Sequence, residues 1–148
     1  MKHRHSHEAA SASEAADCLR QKSRRLTGPR QALLKVLAEK RSPMSCKELF
    51  ERIGKGDCDL ATIYRSLHLL ESLGLVKRFD FGDGVARYEM VTAGEDGHHH
   101  HLVCIRCAGV VEIDDCFPQE LQEKIERRNG FKSVTHKLEF FGVCPSCQ

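Results

Sequence analysis

Two Cys-x-x-Cys pairs constrain this chain more than any other feature. Cys104 and Cys107 form the first, Cys144 and Cys147 the second, with 36 residues between them. A Cys-x-x-Cys turn sets two thiolates at the separation that tetrahedral zinc requires, and two such turns complete a closed four-thiolate site. A fold that contains this site must carry the end of the chain back onto residues 104–107. A redox-active dithiol is the competing reading, but it would not need a second pair at the chain end. Zinc held there adds folding free energy directly, because the unfolded chain has no preformed site.

The histidines carry a second message. His98, His99, His100 and His101 are consecutive, the apolar Leu102 and Val103 follow at once, and His136 lies downstream. If the run enters a strand, the period of two sends His98 and His100 to one face and His99 and His101 to the other. That arrangement supplies two metal sites, each needing further ligands. Glu89, Glu112, Gln119, Glu120 and His136 are the candidates. Mixed imidazole and carboxylate donors suit Fe(II), Zn(II), Mn(II) or Ni(II). His3, His5 and His7 read as a solvated tail and His68 as a surface residue. Among the remaining cysteines, Cys46 and Cys58 read as small core residues, Cys116 as a reserve ligand, and Cys18 has no assigned role.

Charge divides the chain in two. The net charge is only +2. Residues 1–83 hold 16 Lys and Arg against 11 Asp and Glu, whereas residues 84–148 hold 7 against 10. The first part reads as helices followed by a hairpin. Residues 8–23 are helix-permissive but polar, giving an arm or marginal helix over 1–20. Thr27 caps a second helix with Pro29 in its first turn and Leu33, Leu34 and Leu37 on one face. Ser45 and Glu48 form a capping box for a third helix. Asp59 caps a fourth, with Leu60, Ile63, Leu67 and Leu70 at helical spacing and Gly74 as its stop. Gly82-Asp83-Gly84 marks a hairpin turn, followed by a half-buried strand in which Ala86, Tyr88 and Met90 alternate with Arg87 and Glu89.

Short helices and a hairpin on a basic module describe a winged helix-turn-helix. Its fourth helix would enter a DNA major groove and present Ala61, Thr62, Tyr64 and Arg65. Arg24, Arg25 and Arg30 suit backbone contact or minor-groove insertion. The competing reading is a solvated helical bundle.

With these residues in place, the chain resembles the ferric uptake regulator family of metal-dependent repressors. The resemblance spans about residues 20–148. It rests on Thr27-Gly-Pro-Arg30, Asp59-Leu-Ala-Thr-Ile-Tyr-Arg-Ser-Leu67, His98-His-His-His-Leu-Val-Cys-x-x-Cys107, Val111-Glu-Ile113, Gly130-Phe131, Val134-x-His136 and Cys144-x-x-Cys147. It implies an α+β chain: a winged-helix DNA-binding domain over 1–92, a hinge at 93–97, and a small α/β dimerisation domain over 98–148. It further implies a homodimer on AT-rich palindromic operator DNA. By the same resemblance Tyr64 and Arg65 match the recognition-helix pair, and Arg25 a minor-groove residue. The four cysteines match a structural zinc site. Glu89, His99, His101 and Glu112 match a sensing site, and His98, His100 and His136 a second metal site. Two positions depart from the pattern. Pro43 stands where many iron-type members supply a histidine, and Gln119 stands at the helix carboxylate of the second site, leaving Glu120 to substitute. The four-histidine run resembles zinc-sensing members, while Glu89 in Tyr-Glu-Met resembles iron-type sites. The expectation is a repressor that senses Fe(II), with Zn(II) as the alternative and Mn(II) also compatible.

Other classes fit less well. A zinc hydrolase or deaminase needs an open metal position and a His-x-Glu ahead of Pro-Cys-x-x-Cys; here Pro145 lies inside the second pair and no His-x-Glu precedes it in the metal module. A zinc-ribbon interaction protein without DNA contact is the alternative from another class. No apolar run approaches the ~18 residues of a membrane span, and the start lacks the apolar core of a secretory signal. The expectation is a cytoplasmic protein, not an enzyme, with no membrane partner and no small-molecule substrate.

Overall fold

The computed structural model describes residues 12–40, 42–54, 56, 58–91, 99–113 and 118–148. The chain divides into two compact units, Met1–Gly97 and His98–Gln148. The expected hinge at 93–97, together with His98 and Cys116, lies outside the described residues.

The first unit begins with α1 (Ala12–Gln21) and α2 (Gly28–Glu39). Polar composition makes α1 marginal by itself, yet Ala15 and Leu19, one turn apart, are fully buried in the core of this unit. Packing of that stripe sustains the helix where intrinsic propensity would not. Thr27 takes the N-cap backbone conformation of α2, but its hydroxyl makes no capping bond. Pro29 in the first turn, with its φ already helical, is the start signal that operates. Leu33, Leu34 and Leu37 then face inward.

A two-residue strand, β1 (Met44–Ser45), leads into α3 (Cys46–Ile53). The Ser45 hydroxyl accepts from the Glu48 backbone N–H, and the Glu48 carboxylate accepts from the Ser45 N–H at 2.8 Å, so the capping box is complete. Next, α4 (Leu60–Ser72) starts at Asp59, whose carboxylate accepts from the Thr62 N–H at 2.7 Å. It ends before Gly74, which adopts the left-handed conformation at φ 71° that only glycine takes without cost. Ile63, Leu67 and Leu70 bury one stripe of α4 against α2 and α3. Each such side chain contributes roughly 1.5–3 kcal/mol on burial.

Strands β2 (Val76–Asp80) and β3 (Ala86–Met90) form the hairpin, and β1 pairs with the far edge of β3, giving the antiparallel order β1-β3-β2. Helices α2, α3 and α4, with this sheet as the wing, make the winged helix-turn-helix. The sequence pattern implies a half-buried β3, but the structure buries both of its faces. Tyr88 and Met90 join the helical core, and Arg87 and Glu89 are buried as well. β1 accounts for part of this, because a central strand is covered where an edge strand is not; two residues are too few to announce themselves by periodicity.

The second unit holds β4 (His100–Cys104), β5 (Val110–Ile113), α5 (Gln119–Asn129) and β6 (Glu139–Gly142). β4 is central, antiparallel to β5 and parallel to β6. The parallel pairing is what returns the chain end to the first Cys-x-x-Cys, since Cys104 sits beside Gly142 and Cys144 follows two residues later. Helix α5 buries none of its residues within this unit. Val111, Leu102 and Phe140 are cross-strand neighbours on β5, β4 and β6 and are 60%, 40% and 42% exposed, an apolar row across the sheet. Among the described residues no helix is long and apolar enough to cross a membrane.

Candidate functional site

The four cysteines meet in one cluster, every Sγ within 4.8 Å of the others. Local turns place them. The Ala108 N–H donates to the Cys104 carbonyl at 2.9 Å and the Cys104 N–H to the Gly109 carbonyl at 2.8 Å, closing a knuckle around the first pair. A 3-10 turn over Pro145–Cys147 shapes the second pair. Sγ of Cys107 lies 3.8 Å from Sγ of Cys144. Two thiolates bound at about 2.3 Å across a tetrahedral angle stand about 3.8 Å apart, so the spacing fits zinc.

The backbone prepares the charge. The N–H of Cys144 donates to the Cys104 sulfur, and those of Cys107 and Arg106 also point at it. These bonds pull the Cys104 thiol down to about 6. Cys147, bonded to Cys144 and Cys107 in a crowd of sulfurs, is pushed up to about 12. Four adjacent thiolates repel one another, and a divalent cation is the group that lets them all ionise.

On β4 and at the residue before it the described histidines alternate. The His99 and His101 rings meet edge to face with centroids 4.9 Å apart. Glu112 pairs with His101 across the β4–β5 ladder, and its Oε1 is 3.9 Å from His99 Nδ1. Buried His100 lies on the other side of the alternation, its Nε2 3.4 Å from Nε2 of His136. The α5 side chain bonded to His136 is Gln122, through Oε1 at 3.2 Å. Glu120 sits exposed in the first turn of α5 and Gln119 bonds Glu123, so neither takes that contact in this structure. In the first unit, Glu89 is a buried carboxylate on β3, opposite Lys77 of β2.

Opposite its buried stripe, α4 presents Ala61, Tyr64 and Arg65, all exposed, with Thr62 on the flank. The Thr62 hydroxyl accepts from Arg65 Nη2 at 3.1 Å, drawing the guanidinium toward the start of the helix. The Tyr64 hydroxyl bonds the Cys46 thiol, whose neighbouring charge pushes the phenol up, while burial raises Cys46 itself. Arg25 is exposed in the loop before α2, and Arg30 donates to its carbonyl at 2.5 Å, bracing that loop. Sequence reasoning missed two groups that shape these surfaces. Gln122 resembles any polar helix residue in sequence, and the Cys46–Tyr64 contact joins helices with no shared motif.

A winged helix followed by a small sheet unit with a four-thiol zinc cluster and paired histidines defines a metalloregulatory DNA-binding class. The chain belongs to the ferric uptake regulator family, whose profile matches residues 21–141. It is 38% identical over 132 residues to the ferric uptake regulation protein of Bacillus subtilis (strain 168), covering 87% of this chain and 89% of that protein. Among solved structures it is similar to a zinc-bound manganese uptake regulator, at 32% identity and a TM-score of 0.74 over 88% of this chain and 98% of that one. It is also similar to the ferric uptake regulator of Vibrio cholerae, at 30% identity and a TM-score of 0.72, covering 86% of this chain and 98% of that one.

Proposed function

We propose that this protein is a cytoplasmic, homodimeric repressor that binds AT-rich palindromic operator DNA when Fe(II) occupies its sensing site, and so controls genes of metal homeostasis. The observation that carries the reading is α4: one stripe wholly buried, the other presenting Ala61, Tyr64 and Arg65 to solvent on a capped helix. Small residues beside an arginine and a tyrosine permit close approach to base edges, with Arg25 and Arg30 placed for backbone contact. Homodimer formation is supported by the apolar row Val111–Leu102–Phe140, which a second copy would cover.

Glu89, His99, His101 and Glu112 are the proposed sensing ligands, the four cysteines the structural zinc ligands, and His98, His100 and His136 a second set to which Glu120 could add a carboxylate. A set of two carboxylates and two imidazoles suits Fe(II), and the Bacillus subtilis relative is named for ferric uptake regulation. A metal shifts operator affinity only by its difference in affinity between the DNA-competent and incompetent states. The second reading is Zn(II) as the regulatory metal, favoured by four consecutive imidazoles.

Fluorescence anisotropy on an AT-rich palindrome tests this, with Fe(II), Zn(II) or Mn(II) added and then chelated. Fe(II)-dependent binding that is lost in Glu89→Ala/His101→Ala, with the cysteine zinc retained, is the expected result. Binding indifferent to metal sinks the sensing assignment. No binding to any DNA leaves a zinc-ribbon interaction protein.

A further inference from the structure

The hydrogen bonds around His100 and His136 determine which ring nitrogen of each carries its proton. Nδ1 of His100 lies 3.1 Å from the Leu138 carbonyl. A carbonyl only accepts, so Nδ1 of the neutral ring holds the hydrogen and Nε2 keeps its lone pair. His136 faces the Gln122 amide, and the far end of that amide decides which atom meets the ring. Gln122 Nε2 donates to the Val134 carbonyl, which leaves Oε1 facing His136 Nδ1 at 3.2 Å. Val134 is itself anchored, its N–H donating to Glu126 Oε1 at 2.7 Å. His136 is therefore also an Nδ1–H ring.

Both Nε2 lone pairs then face each other at 3.4 Å. Two lone pairs so placed repel, and a shared cation turns the repulsion into two bonds. The spacing also selects a geometry. Two nitrogens bound at about 2.05 Å stand about 3.3 Å apart across a tetrahedral angle, but about 2.9 Å apart across the right angle of an octahedron.

We infer that Gln122 is the positioning residue that holds His136 in its Nδ1–H form, so that the His100–His136 pair takes a tetrahedral, zinc-type ion. The inference rests on the reading of His100 and His136 as metal ligands. A neutral amide gives the ring orientation without adding charge, which a carboxylate at the same contact would do. Neutral histidine in water favours the Nε2–H form, so loss of the Gln122 acceptor would direct a proton at the metal position.

The test uses the full chain with its cysteine zinc retained and His101→Ala introduced to remove the competing sensing set. Zn(II) affinity is measured against a chromogenic chelator, and the His136 tautomer by ¹H–¹⁵N NMR of the ring before Zn(II) is added. Gln122→Leu is expected to weaken Zn(II) by about 10- to 100-fold, the usual cost of losing such a partner, and to move His136 toward Nε2–H. Gln122→Glu, which can still accept from Nδ1, is expected to keep the tautomer and bind Zn(II). If Gln122→Leu changes neither readout while His136→Ala abolishes binding, the role of Gln122 is overturned and the pair stands as ligands. If His136→Ala also binds like its parent, the pair is not a metal site and the inference falls with it.

Discussion

Arg87 grips both carboxylate oxygens of Asp83 across the hairpin turn, at 2.7 and 3.0 Å, while its guanidinium lies 5.6 Å from the centre of the Phe81 ring. The side chain of Arg87 is 6% exposed and that of Asp83 38%. Asp83 also accepts from the Val85 N–H, and Asp80 from the Gly82 N–H, so the wing tip is a braced loop. Asp83→Asn leaves a buried guanidinium short of its counter-charge, and the expected loss is about 1 kcal/mol, the low end of the range because Asp83 meets solvent. The hydrogen bond from Arg87 holds the Asp83 carboxyl below its ordinary value. A lowered folded pKa gives stability that is fully present above the unfolded value and lost as pH falls through the folded one. Urea titrations from neutral to acidic pH should therefore show the gap between the native chain and Asp83→Asn closing below the ordinary carboxylate range. A gap unchanged at acidic pH would contradict the ion pair.

The four-thiol cluster predicts a pH-dependent hold on zinc. In the metal-free cluster the Cys104 thiol is held down to about 6 and that of Cys147 pushed up to about 12. Binding must therefore expel protons at neutral pH, and zinc should release more readily as pH falls toward and below 6. Chelator competition across that window measures it. Cys104→Ser should lose zinc and the protection of β4 and β6 amides from hydrogen exchange, while α2 and α4, with their own core, stay protected. Equal loss in both units would show that the first unit depends on the zinc.

Two adjacent residues in the knuckle predict opposite effects. Ala108 sits at φ +58°, a left-handed conformation that costs a residue with a Cβ. Ala108→Gly relieves it, and after the greater freedom of the unfolded glycine a gain of about 0.5–1 kcal/mol is expected. Gly109→Ala would put a Cβ 3.3 Å from Cys107 Sγ. The sulfur must give way, and zinc affinity should fall. Melting temperature and zinc content of the two variants should move apart; a stabilising Gly109→Ala would refute the crowding.

How much of this was legible in sequence depends on the range of the interaction. Ser45 with Glu48, and Asp59 with Thr62, are local bonds, and residue type at fixed spacing announces them. The cysteine cluster was legible despite its long range because four identical ligands at paired spacing admit few other uses. The parallel β4–β6 pairing that achieves this closure carries no such signal. What sequence hid depends on partners met only in three dimensions. Ala15 and Leu19 look too sparse for a packed helix until α2 is beside them. Arg87 reads as the solvent face of a strand until Asp83 and Phe81 fold over it. Gln122 has no pattern at all, because its role lies in contacts to Val134 and His136 on a segment outside its helix.

Arg65 gives the sharpest test of the proposed DNA-binding surface. Its tie to the Thr62 hydroxyl at 3.1 Å aims the guanidinium toward the N-terminal end of α4, the end of a recognition helix that meets base edges. Arginine there can donate two parallel bonds to guanine, which lysine cannot reproduce although it keeps the charge. Arg65→Lys is therefore expected to lose about 1–3 kcal/mol of discrimination at one operator base pair. The slope of log affinity against log salt should stay unchanged, because the positive charge is conserved. Anisotropy titrations on operators substituted one base pair at a time, repeated at several salt concentrations, read both quantities. If lysine serves as well as arginine at every operator position, Arg65 contacts phosphate rather than a base, and sequence is read by Tyr64 and its small neighbours instead.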